Sequence, residues 1–204
     1  VPKAYDREGF LRFLGDRAVR LGVPSLVFML LLNPLTNVIR EIGTGARFSW
    51  GEFLSWYRGF VLSGDFLGAS GPLWFAVALL IFSLVYALVR LVGAVVRGGA
   101  ARHAAPVVPT ITNRGVAIVV LSLTALITVI AFLVRLVQPL GTDVMNMQLG
   151  YFASYIVLFV AGLWIGRRGL LEAIPAKAGR TWLWLSIAIG MPVWLALLGF
   201  GGAL

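Results

Sequence analysis

Five long apolar runs constrain this chain more strongly than any other feature of its sequence. They cover residues 21–39, 73–96, 116–137, 149–165 and 182–204. A helix of about 20 apolar residues spans the hydrocarbon core of a bilayer. The runs lack the alternation of apolar and polar residues that membrane strands show, so helices are the structure that satisfies their backbone in lipid. The sequence therefore predicts an all-α fold, a polytopic transmembrane helical bundle with five spans in one domain.

The composition agrees with a membrane protein and argues against several other classes. Hydrophobic residues make up 60% of the 204 residues and charged residues 12%. With no cysteine and one histidine, the sequence predicts no disulfide and no metal site. The formal net charge is +9, but the basic residues fall in short clusters between apolar runs and not on one polar face. We therefore expect no nucleic-acid partner.

The basic residues also indicate how the chain is oriented. If the five runs alternate across the membrane, twelve Lys and Arg residues fall on the side of the N-terminal arm, against Arg40, Arg47 and Arg58 on the other. Because short loops rich in Lys and Arg stay in the cytoplasm, we expect Val1 on the cytoplasmic side and Leu204 outside.

The longest connection, residues 40–72, contains a further helical pattern. Aromatic and apolar residues recur at helical spacing over 50–61, which predicts a short amphipathic helix lying in the outer membrane interface. Such a helix covers an outward-facing site or serves as an aromatic anchor, and the pattern leaves both open. His103 lies in a Gly- and Pro-rich inner connection without a positioned partner, so we do not expect it to act as a base.

Arg17 and Arg20 stand one helical turn apart where the first apolar run begins. Their guanidinium groups share a helix face and offer forked donors that match phosphate oxygens. The spacing fits a phosphorylated ligand arriving from the cytoplasm. The spacing alone favours the binding of anionic lipid headgroups, which any arginine at a membrane face can do.

Further residues are candidates for lining a cavity. Arg90 and Arg135 lie inside apolar runs, where a charge is costly, so each lines a cavity or extends its side chain to the nearest interface. Trp74, Tyr151 and Tyr155 begin the second and fourth spans on the outer side, and they line a sugar-sized pocket or anchor their helices. The few carboxylates form no paired-acid or Ser-His-Asp pattern, so no catalytic constellation is visible.

Four stretches together resemble the acyltransferase family 3 membrane proteins, which include bacterial O-acetyltransferases of polysaccharides. They are 5–28 (YDREGFLRFLGDRAVRLGVPSLVF), 71–88 (GPLWFAVALLIFSLVYAL), 132–141 (FLVRLVQPLG) and 149–182 (LGYFASYIVLFVAGLWIGRRGLLEAIPAKAGRTW). The resemblance covers nearly the whole chain. It implies a bundle of about ten spans, of which these would be the third to the seventh, an order that fits the expected orientation. We therefore expect an internal fragment that lacks the first and last spans of its protein.

The resemblance also implies an activity in the bacterial cytoplasmic membrane. An acyltransferase of this family moves an acyl group, commonly acetyl, from cytoplasmic acyl-CoA to a hydroxyl of a carbohydrate or glycolipid on the outer side. Arg17 and Arg20 match the family's arginine pair, which implies that they bind the phosphates of coenzyme A. Acyl-CoA is then a co-substrate, and no bound cofactor is expected. The family's catalytic histidine lies in a first span without a counterpart here, so the fragment itself is expected to be inactive.

Two other function classes stay open at this point. A transporter segment would use Arg90, Arg135 and the helix break at Gly190 and Pro192 to line a path. A non-catalytic membrane subunit would use its arginines only to set topology. An enzyme consumes acetyl-CoA in membranes that contain a sugar acceptor, whereas a transporter moves solute and leaves the thioester intact.

Overall fold

Helices form the regular structure in the residues that the computed structural model describes, which are 1–45, 47–96, 111–138 and 141–200. In chain order they are α1 (Pro2–Arg17), α2 (Val23–Val27), α3 (Asn33–Gly43), α4 (Trp50–Leu62), α5 (Trp74–Val96), α6 (Asn113–Val137), α7 (Phe152–Arg167), α8 (Ala176–Leu185) and α9 (Met191–Phe200). These ranges contain no strand, only an isolated bridge between Val144 and Met147. His103 lies outside the described residues.

Five continuous helical segments are long and apolar enough to cross a membrane. They are Ala4–Gly43, Gly71–Val96, Asn113–Val137, Leu149–Arg167 and Ala176–Phe200. The all-α prediction with five spans is confirmed, and by these helices the chain is a multi-pass membrane protein. The first segment begins well before Leu21, so the basic residues that precede the apolar run lie on a helix continuous with it.

Prolines explain why the first and last segments are divided into shorter helices. Three π-helical turns, Ala18–Gly22, Phe28–Leu32 and Ser186–Gly190, end two residues before Pro24, Pro34 and Pro192 respectively. Proline has no N–H to donate, and its ring collides with the carbonyl four residues earlier. A wider turn just before the ring relieves that collision and lets the helix continue. The break that the sequence indicates at Pro192 is therefore a π turn within one span.

The carbonyl that Pro34 leaves without its helical donor is used by α4. Leu30 lies four residues before Pro34, and its carbonyl accepts a hydrogen bond of 3.0 Å from the Tyr57 hydroxyl. Most side chains of α4 are exposed, whereas Tyr57 is half-buried. The helix predicted over 50–61 is thus attached to the first span through a bond that a regular helix would not offer.

The bundle is centred on α5. The first segment packs along α5 through α1, the turn Ala18–Gly22 and α2, and α1 also contacts α7. Small buried residues, Ala78, Ser83 and Ala87, let neighbouring helices approach α5 closely. Beyond α7, the chain adds α6 and then α8. The amino-terminal ends of α5 and α7 lie together, since Trp74 and Tyr155 have ring centroids 5.6 Å apart.

We expect that the Tyr57→Phe substitution lowers the free energy of unfolding by about 1 kcal/mol, because the Leu30 carbonyl loses its donor. In a Pro34→Ala background, the alanine supplies a backbone N–H to that carbonyl, so the same substitution should cost only a few tenths of a kcal/mol. A double-mutant cycle on unfolding in mixed micelles measures the difference. Equal costs in the two backgrounds would contradict the link between Tyr57 and Pro34.

Candidate functional site

Two groups of polar and aromatic side chains lie at different levels of the helix pair α5 and α7. The first is the arginine cluster, composed of Arg17, Arg90 and Arg167, the carboxylate of Asp6, and the rings of Tyr5, Phe13 and Tyr86. The second is the aromatic cavity, lined by Gly71, Pro72, Trp74, Asn146, Gln148, Tyr151 and Tyr155. Twelve residues separate Trp74 from Tyr86 along α5, a rise of roughly 18 Å.

Ionic contacts to Asp6 join three helices in the arginine cluster. The Asp6 carboxylate of α1 accepts a hydrogen bond of 2.8 Å from Arg90 Nη2 of α5. Arg167 Nη2 of α7 lies 3.9 Å from the same oxygen and donates to the Tyr86 hydroxyl at 2.9 Å. The side chains of Asp6, Arg90 and Arg167 are 25%, 24% and 39% exposed. These charges are partly withdrawn from water, which strengthens the interactions between them.

Three aromatic rings pack against one another and contact these arginines. Phe13 is fully buried, and the rings of Tyr5, Phe13 and Tyr86 meet edge to face with centroids 5.5 to 6.3 Å apart. Each ring carries one guanidinium group: Arg17 lies 5.3 Å from Phe13, Arg90 5.4 Å from Tyr5, and Arg167 5.9 Å from Tyr86. Cation–π attraction holds each guanidinium group on its own ring of this cluster.

A break at Gly9 allows the start of α1 to reach this cluster. Gly9 has φ 74° and ψ 176°, a combination open almost only to glycine. The break redirects the residues before it, so that Tyr5 meets Phe13 of the same helix and Tyr86 of α5. Its hydroxyl also lies 3.5 Å from the Ala87 carbonyl. The position of Asp6 between Arg90 and Arg167 depends on this change of direction.

Two guanidinium groups, those of Arg90 and Arg167, face the Asp6 carboxylate. Arg17 carries a third positive charge on the adjoining Phe13 ring, so these described contacts hold more positive than negative charge. An excess of positive charge in a partly enclosed site attracts anions, and forked donors match phosphate or carboxylate oxygens. Arg17 Nε is buried and has no hydrogen-bond partner in the structure. In the described ranges, no three His, Asp or Glu side chains converge as metal ligands do. The cluster is suited to binding an anion.

The sequence predicts that Arg17 and Arg20 act as a pair, but in the structure their side chains have different surroundings. Arg17 turns toward Phe13, whereas Arg20 Nε binds Asp16 at 2.7 Å with its side chain 72% exposed. The π turn that begins at Ala18 lies between them and alters their angular relation. Arg17 therefore belongs to the arginine cluster, and Arg20 lies on the surface beside it.

The aromatic cavity has a volume of about 540 Å³, within the range of ligand pockets. Trp74, Tyr151 and Tyr155 line it together. Arg135 does not line the cavity, but its guanidinium group lies 5.4 Å from the ring of Tyr151, which does. Arg90, which the sequence groups with these residues, lies instead in the arginine cluster.

An amide side chain in a strained backbone position completes the cavity. Met145 and Asn146 have φ values of 52° and 61°, a region that asparagine tolerates better than most residues. Asn146 Nδ2 donates to the Gly71 carbonyl at 3.0 Å and to Ser70 Oγ at 3.3 Å. A side chain at Gly71 would meet Phe28 at 2.6 Å. Strain of this kind persists where the surroundings enforce it, often at ligand sites.

Sequence reasoning missed several members of both groups. Asp6 and Tyr5 lie in a stretch that resembles the family, but no residue spacing distinguishes them. In the sequence, Arg167 belongs to the basic residues of a connection, which indicate only the orientation of the chain. Asn146 and Gln148 are amides in a short polar connection. The available sequence signal is weak: an asparagine, a residue that tolerates positive φ, in the short polar connection before α7.

Comparison with known proteins identifies a family for the chain. A family model described as an acyltransferase domain, of the acyltransferase 3 type, matches residues 3–204. No curated protein and no solved structure matches the chain.

Gly9→Ala should lower the free energy of unfolding by about 1–3 kcal/mol, because φ 74° is strained for any residue with a side chain. Gly15→Ala on the same helix is the matched control. Its added Cβ meets nothing within 4 Å, and better helix propensity should raise stability by up to about 1 kcal/mol. Thermal unfolding of the two variants in detergent compares them. Similar effects of both would show that Gly9 does not direct the start of α1.

Proposed function

We propose that this chain, which belongs to the acyltransferase 3 family of membrane proteins, takes part in transferring an acyl group, commonly acetyl, from acyl-CoA to a hydroxyl of a carbohydrate or glycolipid. The family match over residues 3–204 is the observation that carries the proposal. The transfer takes place in the cytoplasmic membrane of a bacterium. Val1 and the arginine cluster face the cytoplasm, and the aromatic cavity faces outward, in agreement with the unequal distribution of Lys and Arg.

The arginine cluster supports a donor site for acyl-CoA. Coenzyme A is a polyanion whose phosphates suit guanidinium groups in forked or single contacts. Arg17 is half-buried on Phe13 with its Nε unpartnered, so a phosphate would supply the missing acceptor. Arg20, exposed beside Asp16, is the second donor arginine of the proposal and acts where water screens its charge more strongly.

The aromatic cavity supports an acceptor site for a sugar. The rings of Trp74, Tyr151 and Tyr155 offer apolar faces to the C–H surface of a sugar ring, and Asn146 and Gln148 offer amide donors and acceptors to its hydroxyls. An apolar pocket with a few polar groups orients a small ligand without holding it irreversibly. Arg135, on the Tyr151 ring, suits an acceptor that carries an acidic group.

In the reaction, the acceptor oxygen attacks the thioester carbonyl, the carbon–sulfur bond breaks, and the acceptor proton passes to a general base. The described residues contain no histidine, and in the family the proton goes to a histidine in another span of the same protein. We therefore assign donor and acceptor binding to this chain and the proton transfer to that span. Membrane lipid surrounds both parts.

We expect acetyl-CoA to be consumed in membranes that contain the product of the complete coding sequence together with a sugar acceptor. Arg17→Gln should raise the KM for acetyl-CoA about tenfold, the value of one charge-assisted hydrogen bond. Arg20→Gln should raise it less, because the side chain is exposed. Release of the free thiol measures turnover. Arg40→Gln, also an exposed arginine of the first segment, is the matched control and should leave the KM unchanged.

An intact thioester together with movement of labelled solute across the membrane would favour a transporter. Turnover with a KM that Arg17→Gln does not alter would reject the donor role of Arg17 while leaving the enzyme class in place.

Trp74→Ala should raise the KM for the sugar acceptor roughly threefold to tenfold, because one aromatic face is lost. The KM for acetyl-CoA should not change, since the donor binds at the other level of α5. Trp184→Ala, an exposed tryptophan of α8, is the control and should alter neither constant. A rise in the donor constant alone would contradict an acceptor role for the aromatic cavity.

A further inference from the structure

Asp6 is the anion that the arginine cluster holds. Its carboxylate is bound at 2.8 Å by Arg90, while Arg167 lies 3.9 Å away and places its short hydrogen bond on Tyr86. A separation of 3.9 Å is an ion pair without a hydrogen bond. Of these two arginines, Arg90 therefore hydrogen-bonds to the carboxylate, and Arg167 interacts with it through charge.

The contacts with Asp6 use the guanidinium groups only in part. Each arginine approaches the carboxylate through one terminal nitrogen, not through the planar fork that gives guanidinium groups their strongest contacts with oxyanions. A phosphate group has more acceptor oxygens than a carboxylate and carries up to two negative charges at neutral pH. In place of Asp6, its oxygens would accept hydrogen bonds from Arg90, Arg167 and the Tyr86 hydroxyl and balance more of the positive charge.

The connection between Asp6 and the rest of α1 suits an anion that leaves its site. Asp6 lies before the break at Gly9, so regular helical geometry does not continue from it into the body of α1. Arg90, by contrast, lies within the 23-residue helix α5, and Arg167 is the last residue of α7. Both cations are thus continuous with a helix of the bundle, whereas the carboxylate lies on a short segment separated from the body of α1 by Gly9.

We propose that Arg90, Arg167 and Tyr86 form a phosphate-binding site in which Asp6 is an internal counter-anion, and that a phosphate group of a ligand displaces Asp6 when it binds. The inference rests on the proposed function where that phosphate belongs to acyl-CoA. An anionic lipid headgroup offers the same chemistry. The site lies next to Arg17, since Phe13 and Tyr86 are in ring contact, so a ligand with several phosphates would reach both.

The test uses the product of the complete coding sequence in phosphatidylcholine nanodiscs, with adenosine 3′,5′-bisphosphate as the probe and calorimetry as the measurement. Asp6→Asn should bind the probe about tenfold more tightly than the unaltered protein, because the competing charge is gone. Arg90→Gln and Arg167→Gln should each bind it about tenfold more weakly. If the ligand displaces Asp6, removing Asp6 raises the affinity for the bisphosphate, whereas removing its partner Arg90 lowers it.

Arg168→Gln is the matched control. It removes the same charge from the position next to Arg167, where the guanidinium lies 4.3 Å from the Trp164 ring and away from Asp6. Its affinity for the bisphosphate should stay within about twofold of the unaltered protein, since an exposed charge is screened.

Weaker binding by Asp6→Asn, or no change, would overturn the proposal, because Asp6 would then only position the arginines. Unchanged binding by all three variants in bisphosphate and lipid assays would overturn it as well. Where Asp6→Asn alone does not fold, the double variant D6N/R90Q removes both partners of the ion pair. It should bind the bisphosphate more tightly than R90Q does, and equal or weaker binding would again overturn the proposal.

Two further measurements separate the sources of the phosphate. In the first, the retention of phosphatidylglycerol in mixed nanodiscs is measured for the same variants. If Asp6→Asn raises this retention and the two arginine variants lower it, while the bisphosphate does not bind, then the site binds a lipid phosphate and its role in donor binding is wrong. Consumption of acetyl-CoA is measured on the unaltered protein. If it is consumed while the variants bind both phosphates normally, the counter-anion proposal fails and the proposed function stands. If it is not consumed while the variants respond as expected, the proposed function fails and the phosphate site stands.

Discussion

The arrangement of the arginine cluster depends on one carboxylate that is partly withdrawn from water. Asp6 brings the guanidinium groups of α5 and α7 to one place, where like charges alone would repel each other strongly in a medium of low dielectric. Aromatic rings supply the remaining stabilisation, because each accepts one guanidinium on its face. Removing one partner from such a group costs more than the pair itself contributes, since the other charge stays behind without compensation.

Backbone groups impose a second constraint on a chain in lipid, where water does not replace a lost hydrogen bond. Three prolines deprive their helices of a donor, and the chain responds with a π turn before each of them. At Pro34 the freed carbonyl of Leu30 is satisfied by Tyr57, which ties α4 to the first span. A local defect in one helix thus becomes the attachment point of another. After α4, the chain continues to Gly71 and Pro72, which line the aromatic cavity.

The same pair of helices connects the two candidate sites. Between the levels of Trp74 and Tyr86, Phe82 of α5 packs against Phe152 and Phe159 of α7 with centroids 6.0 and 5.2 Å apart. These packed rings separate the two candidate sites and hold α5 and α7 together between them. The distance between the two levels is set by helix length alone.

The sequence by itself determined the fold class, because runs of apolar residues as long as the bilayer is thick leave helices as the spanning structure. It also indicated the family and the arginines at the helix ends, since both are properties of contiguous stretches. Which arginines meet was decided only by the tertiary structure. Arg17 joins Arg90 and Arg167, while Arg20 turns away, because contacts between α1, α5 and α7 link residues more than eighty positions apart. Helical periodicity describes the face of one helix and contains no information about the helix that packs against it.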